Sequence, residues 1–201
     1  RSVVLYNLGG GSPVTLHEGA EEYAALRFDY SSSRLAFLVT DQKEKTDGTP
    51  AFSLYVSDPQ GCRKLVDAED ESLPKGWIIS RHSKLSFSNA SSRILLSLNE
   101  KFPPKDTTVV DFEAPQLDIW NWDAVYTPPQ QRLNVNKTLK KTYSATIDLA
   151  EPGRIVPLTT SKFAGIRLMN GGLSEWVLAS DNAKYCLLYN YDAADEQHCV
   201  D

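Results

Sequence analysis

The stretch Leu26–Val39, LRFDYSSSRLAFLV, returns without a gap fifty-nine positions later as LSFSNASSRILLSL, Leu85–Leu98. Leu26 matches Leu85, Phe28 matches Phe87, Ser32-Ser33-Arg34 match Ser91-Ser92-Arg93, and Leu35 matches Ile94. Each copy is a short alternating apolar run, a polar turn and a second apolar run, which is the pattern of a β-hairpin. A hairpin repeated at a fixed period points to a repeat architecture, in which neighbouring units bury one another's apolar faces. A looser third copy runs from Ile166 to Ala179.

A second hairpin type alternates with the first. It runs from Val3 to Leu16 around Gly9-Gly10-Gly11, from Phe52 to Val66 around Asp58-Pro59-Gln60-Gly61, and from Tyr143 to Leu158 around Glu151-Pro152-Gly153. One hairpin of each type makes a four-stranded antiparallel unit of about the size of a β-propeller blade. The expected fold is therefore all-β, a propeller segment of about three to four blades in an incomplete ring. The expected divisions are a partial blade at 1–20, a blade at 21–80, a blade at 81–162 interrupted by an insertion at 99–141, and a partial blade at 163–201. Leu26, Phe28, Leu35, Phe37, Leu85, Phe87, Ile94 and Leu96 are expected to pack unit against unit. Helix is expected only around Ala68–Leu73 and Gln130–Leu139, with a final strand at Lys184–Tyr191.

Composition narrows the partners. A formal net charge of −5 disfavours bulk attraction to a nucleic-acid backbone or an anionic membrane. No apolar run approaches the ~20 residues that span a bilayer. The opening RSVVLYNL lacks signal-peptide features and reads as a strand in progress, as in a mature product or an excised piece. Cys62, Cys186 and Cys199 form no zinc spacing and read as buried free thiols, with a Cys186–Cys199 pairing across a hairpin as the alternative. Asn89-Ala90-Ser91 and Asn136-Lys137-Thr138 fit the glycosylation triplet.

No catalytic set stands out. The G-x-S-x-G elbow of serine hydrolases is absent. Gly9-Gly10-Gly11-Ser12-Pro13 puts proline, which has no N–H, where an oxyanion donor belongs. Gly171-Gly172-Leu173-Ser174-Glu175 lacks the closing glycine; both stretches read as turns. His17 and His82 read as solvated loop histidines, and with His198 they make no metal-helix spacing. Asp67, Glu69, Asp70 and Glu71 read as a solvated charge run. No phosphate loop is present. No cofactor and no metal site are expected, and this chain by itself is expected to be non-catalytic.

The insertion carries the most distinctive residues. Leu117-Asp118-Ile119-Trp120-Asn121-Trp122 alternates, and Pro128-Pro129 breaks the pattern. An excursion of this length is usually functional or a packing device. Trp120, Trp122 and Tyr126 are the candidate binding residues, because aromatics dominate interface energetics.

The runs Lys105-Asp106-Thr107-Thr108-Val109-Val110-Asp111-Phe112-Glu113, Leu117-Asp118-Ile119-Trp120-Asn121-Trp122, Pro128-Pro129-Gln130 and Leu139-Lys140-Lys141-Thr142-Tyr143 resemble the N-terminal propeller of bacterial serine peptidases of the prolyl oligopeptidase family, of a dipeptidyl-peptidase-like kind. The resemblance implies a propeller standing over a C-terminal α/β-hydrolase domain that carries the Ser-Asp-His triad. None of the triad motif occurs in this chain, so no catalytic residue transfers. The implied role is gating of peptide access to that hydrolase domain, with the peptide substrate and the hydrolase domain as partners and a periplasmic or secreted location. The alternative is a stand-alone propeller-type module that binds a protein or a glycan through the insertion aromatics. Open strand edges give a route to self-association.

Overall fold

Two antiparallel sheets carry the repeat. The computed structural model describes residues 1–41, 49–102, 119–120, 126–151, 154–160 and 165–180. These are mostly antiparallel β-sheet, with one α-helix among them. Strands β1 (Ser2–Leu5) and β2 (Val14–Glu18) form a two-stranded sheet. Strands β3 (Glu22–Phe28), β4 (Leu35–Thr40), β5 (Ser53–Asp58) and β6 (Gly61–Val66) then pair in chain order. In the second large sheet, β7 (Trp77–Ile78) and β8 (Leu85–Phe87) share one edge of β9 (Arg93–Glu100). The other edge of β9 pairs with β10 (Tyr143–Asp148), which pairs with β11 (Ile155–Pro157). Helix α1 (Pro128–Leu139) lies between β9 and β10 in the chain. Strands β12 (Gly165–Leu168) and β13 (Val177–Ser180) make a further hairpin.

The fifty-nine-residue repeat reappears in the hydrogen-bond register. Arg27 and Phe28 lie opposite Ala36 and Leu35, and their counterparts Ser86 and Phe87 lie opposite Leu95 and Ile94. The two turns match as well. Asp29 N–H donates to the Arg34 carbonyl at 3.0 Å, and Ser88 N–H donates to the Arg93 carbonyl at 2.9 Å. Ser32 and Ser91 take left-handed φ values of 56° and 55°, a conformation uncommon for residues other than glycine.

Equivalent arginines join successive units. Arg34 Nη1 donates to the Ser91 carbonyl at 2.8 Å, which ties the β3–β4 turn to the β8–β9 turn. Arg93 Nη1 donates to the Ser174 carbonyl at 3.0 Å, which ties the β8–β9 turn to the β12–β13 turn. Asn89 N–H adds a bond of 3.1 Å to the Gly171 carbonyl.

Strand β4 is buried on both faces. Ala36 and Leu38 join Val56, Leu85, Ile94, Leu96 and Leu98 in the larger core between the two main sheets. Leu35, Phe37 and Val39 pack instead with Val3 and Ala20. Each buried aliphatic or aromatic side chain contributes roughly 1.5–3 kcal/mol. Leu26 and Phe28, expected in the packing between units, are 44% and 51% exposed. The cause lies in a bulge of β3. Ala24 faces Leu38 and Arg27 faces Ala36, so Ala25 and Leu26 together oppose the single position of Phe37, and Ala25 sits at φ 50°. A bulge of this kind re-aims the side chains that follow it, and Leu26 and Phe28 then fall outside both cores. In the second copy Leu85 pairs with Leu96 without a shift and is buried.

Two more expectations change. Ala68–Leu73 forms turns and not helix. His17 is not a solvated loop residue: it lies in β2, with its ring among Tyr23, Phe37 and Tyr55. The strand expected at Lys184–Tyr191 lies outside the described residues, as do Cys186, Cys199 and His198.

Candidate functional site

The excursion between β9 and β10 leaves and returns through a closed neck. Asn99 is buried near the end of β9. Its amide donates to the Lys141 carbonyl at 2.8 Å, just before β10 begins. Its carbonyl accepts from the Ser80 hydroxyl at 2.5 Å, and that hydroxyl also accepts from His82 N–H at 3.1 Å. Lys101 N–H reaches the Gly76 carbonyl at 2.7 Å. The Trp77 and Tyr143 rings sit 4.6 Å apart across the same base, within the range of favourable aromatic pairing. Burial, then the nearby Glu100 carboxylate, raise the Tyr143 phenol above its ordinary pKa. His82 is pushed down, first by burial and then by the Lys140 and Arg81 cations.

Helix α1 starts where the sequence places two prolines. Proline suits the first helical turn because its missing N–H has no intrahelical partner there anyway. Thr127 is the N-cap, and its N–H donates to the Gln130 side-chain carbonyl at 3.0 Å, which satisfies a donor the helix leaves open. Gln131 Nε2 donates to the Tyr126 carbonyl at 2.8 Å and anchors the preceding residue to the first turn. Lys137 in the last turn complements the negative end of the helix dipole.

One side of α1 lines a groove of about 870 Å³. Gln131, Asn134, Val135, Lys137, Thr138 and Leu139 contribute from the helix, with Tyr126 and Lys141 around them. Positions 131, 135 and 139, with 134 and 138, follow the three-and-four spacing of a single helical face. Val135 and Leu139 are 48% and 45% exposed. Lys141 Nζ lies 5.1 Å from the centre of the Tyr143 ring, a cation–π arrangement that links the groove to the neck.

Of the candidate binding residues, Tyr126 lines this groove and is 51% exposed. Trp120 is 70% exposed and is not among the lining residues. Trp122 lies outside the described residues. The contribution of Val135, Leu139, Lys137 and Lys141 was not drawn from the sequence. The signal for it was present: the segment 126–141 holds Arg132, Lys137, Lys140 and Lys141 and no acidic residue, in a chain of net charge −5.

A second cleft, of about 640 Å³, lies between the β9–β10–β11 sheet and the β12–β13 hairpin. Arg93, Asp148, Glu151, Arg154 and Glu175 bring both signs of charge to it, and Trp176 stands at it 80% exposed. Arg93 is engaged there, by the Ser174 carbonyl and by Asp148 at 3.7 Å. Its side chain serves the junction between units.

His17 and Asp29 take structural roles. His17 Nδ1 is 2.8 Å from the Tyr23 hydroxyl. Burial pushes the Asp29 carboxyl up, but N–H and hydroxyl donors from Arg34, Ser31, Ser91 and Ser33 outweigh it and hold its pKa at about 2. Among the described residues no group of three or more His, Cys, Asp or Glu is placed to hold a metal ion. No helix among them is long and apolar enough to cross a membrane. Comparison with protein-family models and with curated proteins finds no match to this chain.

Proposed function

We propose that this chain is part of a β-propeller that gates peptide access to the hydrolase domain of a prolyl oligopeptidase-like serine peptidase, that domain lying outside this chain. The observation that carries the reading is the in-register recurrence of the hairpins, with Arg34 and Arg93 each reaching the next turn in the same direction. Units joined this way turn a constant face to the next, as propeller blades do. The sequence of the insertion supplies the resemblance to the peptidase family, and its neck holds it on one of these units.

Treatment of the full chain with a fluorophosphonate probe and with chromogenic peptides tests the reading. The expected result is no labelled serine and no hydrolysis; a labelled serine in this chain sinks it. The reading frame past Asp201 is the second check, and it is expected to reach a G-x-S-x-G strand–turn–helix. A frame that stops at Asp201 favours the other reading, a stand-alone protein- or glycan-binding module. The 70% exposure of Trp120 and the 51% exposure of Tyr126 favour that second reading, in which these residues and Trp122 make the contact.

A further inference from the structure

We infer that the groove along α1 binds an acidic peptide segment carrying apolar side chains. Two independent features of the groove agree on that chemistry. The first is charge. Among its described lining residues the groove carries two cationic side chains, Lys137 and Lys141, and no anionic one, and both lysines stand exposed. A low-dielectric wall beside like charges strengthens their field, so a carboxylate is drawn to the groove and a basic segment is repelled. The second is the wall. Tyr126, Val135 and Leu139 present apolar surface at about half exposure, which an apolar side chain of the peptide covers. Asn134 and Gln131 supply polar groups between these for backbone N–H and C=O groups.

The groove is not built for a bilayer surface. Leu133, 87% exposed, is not among the residues that line the groove. The apolar residues of α1 are therefore not gathered into the single broad stripe that an interfacial helix needs. A short segment seated along one face, with charge deciding which sequences are admitted, matches the observed layout. For its biological role the inference rests on the gating reading, and it names the class of peptide that such a gate favours.

The test is fluorescence anisotropy on the full chain with three labelled peptides of equal length, built of Glu and Leu, Gln and Leu, and Lys and Leu. The Glu/Leu peptide is expected to bind about tenfold more tightly than the Gln/Leu peptide at low salt, and the preference should shrink as salt rises past about 0.15 M. Lys137→Glu with Lys141→Glu is expected to abolish the preference, and Lys137→Gln with Lys141→Gln, which adds no anion at the helix C-terminus, is expected to reduce it. Val135→Ser with Leu139→Ser is expected to weaken both the Glu/Leu and the Gln/Leu peptide while keeping the order between them. Equal binding of the three peptides, or a preference that survives the lysine changes, overturns the inference. So does binding to phosphatidylserine vesicles that matches the Glu/Leu peptide in salt dependence and in its loss on Lys137→Glu with Lys141→Glu. A labelled serine in the fluorophosphonate assay would overturn the gating reading and leave the peptide preference standing.

Discussion

Arg34 reaches the Ser91 carbonyl at 2.8 Å, and fifty-nine residues on Arg93 reaches the Ser174 carbonyl at 3.0 Å. The same residue of the repeat makes the same kind of bond to the next turn. Both arginines are partly buried, and a hydrogen bond from a charged donor under those conditions outweighs a neutral one. Arg34→Ala and Arg93→Ala are each expected to cost about 1–2 kcal/mol, read as a lower urea midpoint with an unchanged slope. A midpoint unchanged in both variants means that the bonds do not hold the units together.

The turn that carries the first arginine is itself tied together by Asp29. Its carboxylate accepts from Ser33 N–H at 2.8 Å, Arg34 N–H at 3.0 Å and the Ser31 hydroxyl at 2.7 Å, and its pKa is lowered from 3.8 to about 2. A carboxyl whose folded pKa is depressed stabilises the fold above its unfolded pKa, and that stability is lost as pH falls through the folded value. The chain is therefore expected to lose about 1–2 kcal/mol between pH 4 and pH 2 from this group. Asp29→Asn, which cannot ionise, should flatten that part of a melting-temperature profile. A profile as steep as that of the wild type would assign the acid sensitivity to other carboxylates.

Gly171 carries the close contact at the second junction. It sits at φ 61°, and a Cβ there would overlap the Asn89 side-chain amide. The Asn89 side-chain amide thus lies beside the β12–β13 turn, while the residue as a whole stays exposed. Gly171→Ala is expected to cost at least about 1–2 kcal/mol from the left-handed backbone alone. Adding Asn89→Ala should recover the overlap and not the backbone cost, so the double variant should melt between the single variant and the wild type. Full recovery would show that backbone strain contributes nothing.

The sequence announced these relationships unevenly. Hairpins were legible because period-two alternation and polar turns are local signals, and Phe28 opposite Leu35 with Phe87 opposite Ile94 repeats them in register. Helix α1 was legible over Gln130–Leu139, and the two prolines extended it to Pro128. The exposure of Leu26 and Phe28 was not legible, because the bulge at Ala25 depends on the pairing partner and leaves no mark in an alanine. His17 misled for a similar reason: its packing partners Tyr23, Phe37 and Tyr55 lie on three other strands. The charge bias of segment 126–141 was in plain view, but only the helical face showed which cations line a groove.

At the neck of the insertion, Asn99 bonds to two segments at once, through Ser80 on one side and the Lys141 carbonyl on the other. Asn99→Leu leaves both partners without it in a buried place, and removing a buried hydrogen-bond partner costs about 1–3 kcal/mol per group left unmade. A loss of about 2–4 kcal/mol is expected, together with faster amide exchange at Lys141 and Tyr143 than at Phe37. Uniform exchange across the chain would place Asn99 in the common core and not at the neck.

The tryptophans divide by the same logic of contact. Trp77 is half-buried and its ring lies 4.6 Å from that of Tyr143, whereas Trp120 is 70% exposed. Trp77→Ala is expected to cost about 2–4 kcal/mol, near the lower end for large aromatic deletions because the ring is not fully enclosed. Trp120→Ala is expected to stay within about 0.5 kcal/mol, as surface substitutions usually do. Chemical denaturation of the two variants separates a packing role from a surface one. If Trp120→Ala destabilises the chain as much as Trp77→Ala, its ring is part of the fold and the binding-module reading loses its principal contact residue.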